Sequence, residues 1–158
     1  MNNLPKVIAV VGPTASGKTD LGIFLAKKFN GEVVNFDSRQ IYVDMDIATA
    51  KPEGRWEEVG GRKVFLVEDV PHHLMDFVDP GSPYSLSDFK HDAFLAIDDI
   101  LSRGKLPILV GGTGLYFWGV VDNLDLTETP PNLELRMELE KKSLEEQVKL
   151  LQEKDPES

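Results

Sequence analysis

Lys6-Val7-Ile8-Ala9-Val10-Val11-Gly12-Pro13-Thr14-Ala15-Ser16-Gly17-Lys18-Thr19 is the stretch that decides the fold. Its first half is an apolar, β-branched run after Pro5, the signature of a buried parallel strand. Its second half has the spacing G-x-x-x-x-G-K-[ST], which a chain of this length would contain by chance roughly once in two hundred. Glycines at 12 and 17 let the backbone wrap around phosphate oxygens. The helix that follows contributes unpaired N–H groups and a positive dipole end. Residues Gly12, Pro13, Thr14, Ala15, Ser16, Gly17, Lys18 and Thr19 are therefore expected to hold a diphosphate or triphosphate, with Lys18 as a point charge and the Thr19 hydroxyl placed to ligate Mg2+.

Working outward, Leu21, Phe24, Leu25 and Phe29 recur at helical spacing, with Gly31 as the stop. Glu32-Val33-Val34-Asn35-Phe36 reads as a second strand ending at Asp37. Strand, glycine loop, helix and strand make a βαβ unit with a right-handed crossover. A carboxylate at the carboxyl end of such a strand lies where open sheets bind ligands, so Asp37 is a candidate base or metal partner. Its reading as a cap or turn former is equally open at this point.

Residues 49–61 read as a loop with one short helix, Lys63 to Val67 as a strand, and Val70 to Asp76 as a further apolar stretch. Ser85 and Asp88 form a capping box ahead of Phe89, Ala93, Ile97, Ile100 and Leu101, and Gly104 ends that helix. Leu106 to Val110 is a strand leading into Gly111-Gly112-Thr113-Gly114, which should lie on the same sheet edge as the first glycine loop. His72 and His73 are adjacent, so on a strand they face opposite sides and do not share a metal; a packing role is expected of both. Trp56, Trp118 and the phenylalanines are expected in the core. Thr127-Glu128-Thr129-Pro130-Pro131-Asn132 reads as a linker. Two charged helices then follow, from Leu133 to Lys142 and from the Ser143/Glu146 cap onward, with an apolar stripe on the second.

The chain has 158 residues, 41% of them hydrophobic, a formal charge of −10 and no cysteine. These numbers fit one soluble domain with a core and exclude disulfides and cysteine-based metal sites. They argue against a nucleic-acid binder held by bulk charge alone. No apolar run approaches the length of a membrane span, and Met1 to Lys6 lacks the regions of a signal peptide, so a cytoplasmic location is expected.

Taken together, five segments resemble the tRNA dimethylallyltransferases, also called tRNA isopentenyltransferases. They are Gly12 to Thr19, Asp37-Ser38-Arg39-Gln40-Ile41-Tyr42, Met45 to Pro52, Pro71-His72-His73-Leu74-Met75-Asp76, and Gly104 to Tyr116. Asp155-Pro156-Glu157-Ser158 fits as well. The resemblance implies a three-layer α/β fold of P-loop NTPase type, with about five parallel strands. Residues 1–122 would form the catalytic core, and residues 123–158 the start of a helical tRNA-binding insert.

It also implies transfer of a dimethylallyl group from its diphosphate to N6 of an adenosine beside the anticodon, by a chain acting as a monomer with tRNA and Mg2+. On that match Asp37 is the base and Thr113 contacts the target nucleotide. Ser38, Arg39, Gln40 and Arg136, with Asp37 and Thr113, contact tRNA, and Thr19 serves the metal. The family usually runs to about twice this length, so a truncated insert is expected, lacking a diphosphate-binding arginine and most of the tRNA surface. Arg62 to Val70 looks like additional sequence. Three alternatives stand beside this reading: a P-loop small-molecule kinase using Glu68-Asp69 as its acidic strand end, an adenylate isopentenyltransferase acting on free nucleotide, and a phosphate-binding fragment without catalysis.

Overall fold

A computed structural model describes residues 6–47, 49–59, 61–126 and 132–156 of the chain. They divide into two compact units at the boundary between Leu126 and Thr127. Residues 127–131 of the expected 127–132 linker, together with residues 1–5, Ala48, Gly60 and the final two residues, lie outside the described residues.

The first unit is a six-stranded sheet with helices on both faces. In chain order its elements are β1 (Ile8–Val11), α1 (Lys18–Phe29), β2 (Gly31–Asn35), β3 (Arg55–Val59), β4 (Arg62–Val67), β5 (Val70–His73), α2 (Leu86–Ser102), β6 (Leu106–Gly111) and α3 (Gly114–Val121). The strand order is β1-β6-β2-β5-β4-β3. β1, β6, β2 and β5 run parallel, whereas β4 pairs antiparallel with both β5 and β3. The sheet is thus mixed, not wholly parallel as expected. Residues 55–59, read as part of a loop, form β3, and the additional sequence from Arg62 forms β4 and its turn. Glu68 and Asp69 take φ of 48° and 66°, both left-handed, as a two-residue hairpin turn demands. That turn enters β5 from its amino end, the sheet edge opposite the glycine loop. Glu68 there pairs with Lys27 in the last turn of α1. It is a surface turn, so the kinase reading loses its acidic strand end.

Alternation along the strands feeds two cores. Val33, Ile108 and Val110 pack with Ile23 and Ala26 of α1. Val34 and Leu109 pack with Phe89, Ala93, Ile97 and Ile100 of α2 and with Tyr116 and Val120 of α3. Each fully buried large side chain contributes about 2 kcal/mol through burial. The Ser85/Asp88 capping box starts α2 as read. α1 differs from the reading in two respects. Its C-cap is Asn30, at φ 51°, and Gly31 already belongs to β2. Its sheet-facing side is Gly22, Ile23 and Ala26, while Leu21, Phe24 and Phe29 are exposed. The reason is a close helix–sheet approach: a Cβ on Gly22 would lie 2.6 Å from Val110 Cγ2. No side chain fits at Gly22 without displacing Val110. Trp56 and Trp118, expected in the core, are also exposed, whereas Phe36, Phe65 and Phe89 are buried.

Glu32 is a buried charge, 2% exposed. Arg103 grips both its oxygens (2.5 and 2.6 Å), and Lys105 and His73 approach to 2.7 Å. Burial alone would raise the carboxyl. The hydrogen bonds from Arg103, His73 and Lys105 outweigh it and hold the group well below the ordinary carboxylate range. This network fastens β2, β5 and the α2–β6 junction.

The second unit holds α4 (Leu133–Leu139), capped by Asn132, and α5 (Leu144–Lys154), opened by the expected Ser143/Glu146 capping box. Leu135, Leu144, Val148 and Leu151 remain exposed. No helix among the described residues is long and apolar enough to cross a membrane.

Candidate functional site

The parallel strands β1, β6, β2 and β5 deliver their carboxyl ends to one edge. β1 ends at Val11 and enters the loop, in which Gly17 (φ 78°) and Ala15 (φ 63°) take left-handed conformations. These turns aim successive backbone N–H groups inward, an anion-binding concavity at the start of α1. The Ser16 hydroxyl and Lys18 Nζ both donate to the Pro13 carbonyl, at 2.8 and 2.5 Å, so the loop is braced in this form.

β2 ends at Asn35, and the chain continues through Phe36 to Asp37. Phe36 is buried, edge-on to Phe89 at 5.0 Å, and Phe89 stacks on Tyr116 of α3 at 3.9 Å. The same aromatic cluster thus anchors the approach to Asp37 and the helix that follows Thr113. The backbone is cross-tied: Phe36 N–H donates to Val110 O at 2.7 Å, and Thr113 N–H donates to Phe36 O at 3.2 Å. Thr113 Oγ1 accepts from Ser38 N–H at 3.1 Å and donates to Ser38 Oγ at 3.3 Å. Asp37 and Thr113, 76 positions apart in sequence, are therefore held at one junction beside the glycine loop. Asp37 is oriented by two further bonds. Its N–H donates to Asn35 Oδ1 at 3.2 Å, and its Oδ1 accepts from Arg39 N–H at 2.9 Å. Asn35 is itself buried and donates to Leu74 O at 2.9 Å, so it links the Asp37 turn to the end of β5.

A cleft of about 350 Å³ runs from the glycine loop across the sheet. Residues 14–20 form its wall, Val33, Asn35, His72, Met75 and Val110 its floor, and Asp37 and Gln40 part of its rim. A second cavity of similar volume lies on the other side of the loop, between Pro13, Phe36, Thr113 and Trp118.

The sequence-read residues fall into three groups. Gly12 to Thr19, Asp37 and Thr113 meet at the sheet edge. Ser38 is half-buried against Thr113 and Arg39 is exposed, so both remain close to that edge. Gln40 is buried, and its amide donates to the carbonyls of Thr49 and Ala50 at 3.1 and 3.0 Å; its visible work is to hold that loop. Arg136 is exposed on α4, in the second unit. His72 and His73 do face opposite sides, His72 into the cleft and His73 onto Glu32.

Lys51 carries a role that reading by motif missed. Its side chain is 2% exposed, and Nζ is bound by Asp76 at 2.6 Å, Asp46 at 2.7 Å and Tyr42 O at 2.9 Å. Trp56 Nε1 donates to the other Asp76 oxygen at 3.1 Å. Burial would lower the Lys51 ammonium, but both carboxylates outweigh that and raise it. This clasp closes the 42–51 loop against the end of β5. The sequence signal was present, since Lys51 and Asp76 both lie in segments noted for the resemblance, but their pairing is non-local.

Among the described residues no group of three His, Asp or Glu side chains is placed to hold a metal. Thr14, Ser16, Thr19, Asp20 and Asp37 bring side-chain oxygens to the cleft.

The model of the IPP transferase family matches residues 40–158, and that of the isopentenyl transferases residues 5–72. A tRNA dimethylallyltransferase of Streptomyces coelicolor is 51% identical over 136 residues, which are 86% of this chain and 40% of the relative. The corresponding protein of Heliobacterium modesticaldum is 46% identical over 85% of this chain and 39% of its own length. Among solved structures, a eukaryotic dimethylallyltransferase acting on tRNA superposes with a TM-score of 0.77 at 36% identity, covering 96% of this chain and 36% of the other. The full-length tRNA isopentenylpyrophosphate transferase of Bacillus halodurans does so at 0.67 and 40%, covering 96% and 48%. The chain spans about two fifths of the length of the curated relatives it matches. With a family model matched over most of its residues and the fold shared with these structures, the chain belongs to the IPP transferase family.

Proposed function

We propose that this chain supplies the diphosphate-binding and proton-accepting part of a tRNA dimethylallyltransferase. The observation that carries the reading is the Ser38–Thr113 junction, which holds Asp37 beside the glycine loop. A glycine loop alone fits any phosphate binder; prenyl transfer to an amine also needs a base next to it.

In this reading the loop N–H groups and Lys18 bind the diphosphate of the allylic donor. The C–O bond to that diphosphate breaks, the allylic carbon becomes cation-like, and the exocyclic N6 of adenosine attacks it. The N6 proton passes to Asp37, and diphosphate leaves with the charge that Lys18 and the amides stabilise. Bound Mg2+, held by Thr19 and the diphosphate, would neutralise part of that charge. Arg39, exposed beside Asp37, is available to a nucleic-acid phosphate, and a flipped-out adenosine fits a base that lies in a cleft. Arg136 is assigned to the tRNA surface of the second unit.

The test is transfer from labelled dimethylallyl diphosphate to an unmodified anticodon stem-loop. It is run with this chain and with the chain extended by the remaining portion of a family relative. Label on N6 of the adenosine beside the anticodon is the expected product of the extended form. Label on free AMP and none on the stem-loop would reassign the acceptor to a nucleotide. ATP-dependent phosphorylation without prenyl transfer would overturn the reading.

A further inference from the structure

His72 has one ring nitrogen accounted for and one not. Nδ1 lies 2.9 Å from Val70 O. A carbonyl only accepts, so Nδ1 carries the hydrogen, and in the neutral ring Nε2 is left as a lone-pair acceptor. Nε2 is fully buried, the residue is 4% exposed, and no group among the described residues donates to it. An orphaned buried acceptor of this kind calls for a partner. The adjacent His73, on the same strand, has its partner in Glu32.

The position of His72 narrows what that partner is. It sits opposite Val33 on β2 and Phe65 on β4, on the face covered by α1, and it forms part of the floor of the glycine-loop cleft. The charged side chains lining the same cleft are Lys18, Asp20 and Asp37, while Val33, Phe65, Met75 and Val110 bring no titratable group. Lys18 is directed to Pro13 O. Burial pushes the imidazole down to about 4, so it is neutral near pH 7.

The following step rests on the diphosphate reading given above. An ionised diphosphate offers only acceptor oxygens, and Nε2 is also an acceptor. Two acceptors sharing a cleft need a donor between them. Hydrated Mg2+ keeps several of its waters when it binds phosphate, and those waters are polarised donors. Thr19 and Asp20, at the start of α1, line the same cleft as His72.

We propose that His72, through Nε2, accepts a hydrogen bond from a water that enters with magnesium-bound diphosphate. It thereby reads the hydration of the metal rather than the phosphate.

The experiment titrates inorganic pyrophosphate into the chain by calorimetry, with Mg2+ in one arm and EDTA in the other. The same titrations are followed on 15N-histidine-labelled protein. His72→Phe should weaken binding about tenfold in the Mg2+ arm and leave the EDTA arm unchanged. His72→Gln, whose side-chain carbonyl is again an acceptor, should recover most of the loss. The His72 Nε2 resonance should move only when Mg2+ and pyrophosphate are both present, and should stay in the unprotonated range. Equal losses in both arms, no loss in either, or an imidazolium signature in the complex would overturn the inference. Melting curves of both variants identify an equal loss caused by unfolding; His72→Gln, if folded, then decides between the outcomes. If the unaltered chain binds no pyrophosphate, or Lys18→Ala binds it equally well, the diphosphate reading falls and this inference with it. If Lys18→Ala abolishes binding while both His72 variants bind normally, only this inference fails.

Discussion

His72 and His73 are neighbours on one strand and face two chemically opposite environments. On the α2 side, His73, Arg103 and Lys105 converge on Glu32, whose oxygens are all engaged. On the α1 side, His72 and Asp37 face a cleft and keep polar atoms to which no described residue is bonded: Nε2 on one, and on the other the carboxylate oxygen that Arg39 does not hold. A buried group whose bonds are complete has been used to fix the fold. A buried group left incomplete beside a phosphate loop is kept for a ligand. The two faces of β5 should therefore respond differently to mutation, one in stability and the other in binding or turnover.

The largest effect should appear on the cleft face. In the chain extended to family length, Asp37→Ala is expected to lower transfer by about a thousandfold, the scale of a positioned base, with the melting temperature and pyrophosphate affinity nearly unchanged. Normal turnover in single-turnover assays would remove Asp37 from the base role.

On the α2 face, Glu32→Gln should cost about 3–5 kcal/mol of stability, because Arg103, Lys105 and His73 lose a compensating charge. The pH dependence has a definite sign. The folded Glu32 carboxyl lies far below its ordinary value of 4.5, so its contribution is fully present above that pH and declines as pH falls below it. Chemical denaturation between pH 6 and 3 should show a steeper loss for the unaltered chain than for Glu32→Gln. Parallel curves would mean that the network contributes nothing.

Asn35 belongs to both faces of the argument, since it is satisfied yet supports the cleft. Asn35→Ala removes the bonds to Leu74 O and Asp37 N–H and should cost about 1–3 kcal/mol. It should also lower kcat without changing KM for the prenyl donor, because Asp37 loses its orientation. A change in KM alone would place Asn35 in donor binding instead.

The division between the faces also explains what was legible in the sequence. The glycine loop was readable because its chemistry demands glycine, lysine and threonine at fixed local spacing; for Asp37 the place after a strand end was readable, while its role was left open between a ligand partner and a turn former. The Ser85/Asp88 and Ser143/Glu146 boxes were readable for the same local reason. The β4–β5 hairpin was not, because its turn uses Glu68-Asp69 at positive φ in place of the Asn-Gly or Asp-Gly that marks such turns. The α1 periodicity was present, but Leu21, Phe24 and Phe29 face outward and Gly22, Ile23 and Ala26 face the sheet, with the close approach of Gly22 to Val110 setting that choice. The Glu32 network and the Lys51 clasp join residues 71, 73 and 25 positions apart, and no local pattern announces such pairs. The orphaned Nε2 of His72 could be recognised only once Val70 O and the cleft were placed around it.

The most direct test crosses the two faces in one protein. Pyrophosphate affinity in the presence of Mg2+ and the melting temperature are measured for the unaltered chain, Lys18→Ala and Glu32→Gln. Lys18→Ala should weaken pyrophosphate about a hundredfold, through loss of a charge-assisted contact, and leave the melting temperature within a degree or two. Glu32→Gln should lower the melting temperature by more than about 5 °C and leave the affinity unchanged at a temperature where it is folded. Glu32→Gln losing affinity while folded, or Lys18→Ala binding as tightly as the unaltered chain, would contradict the assignment of one face to the fold and the other to the diphosphate.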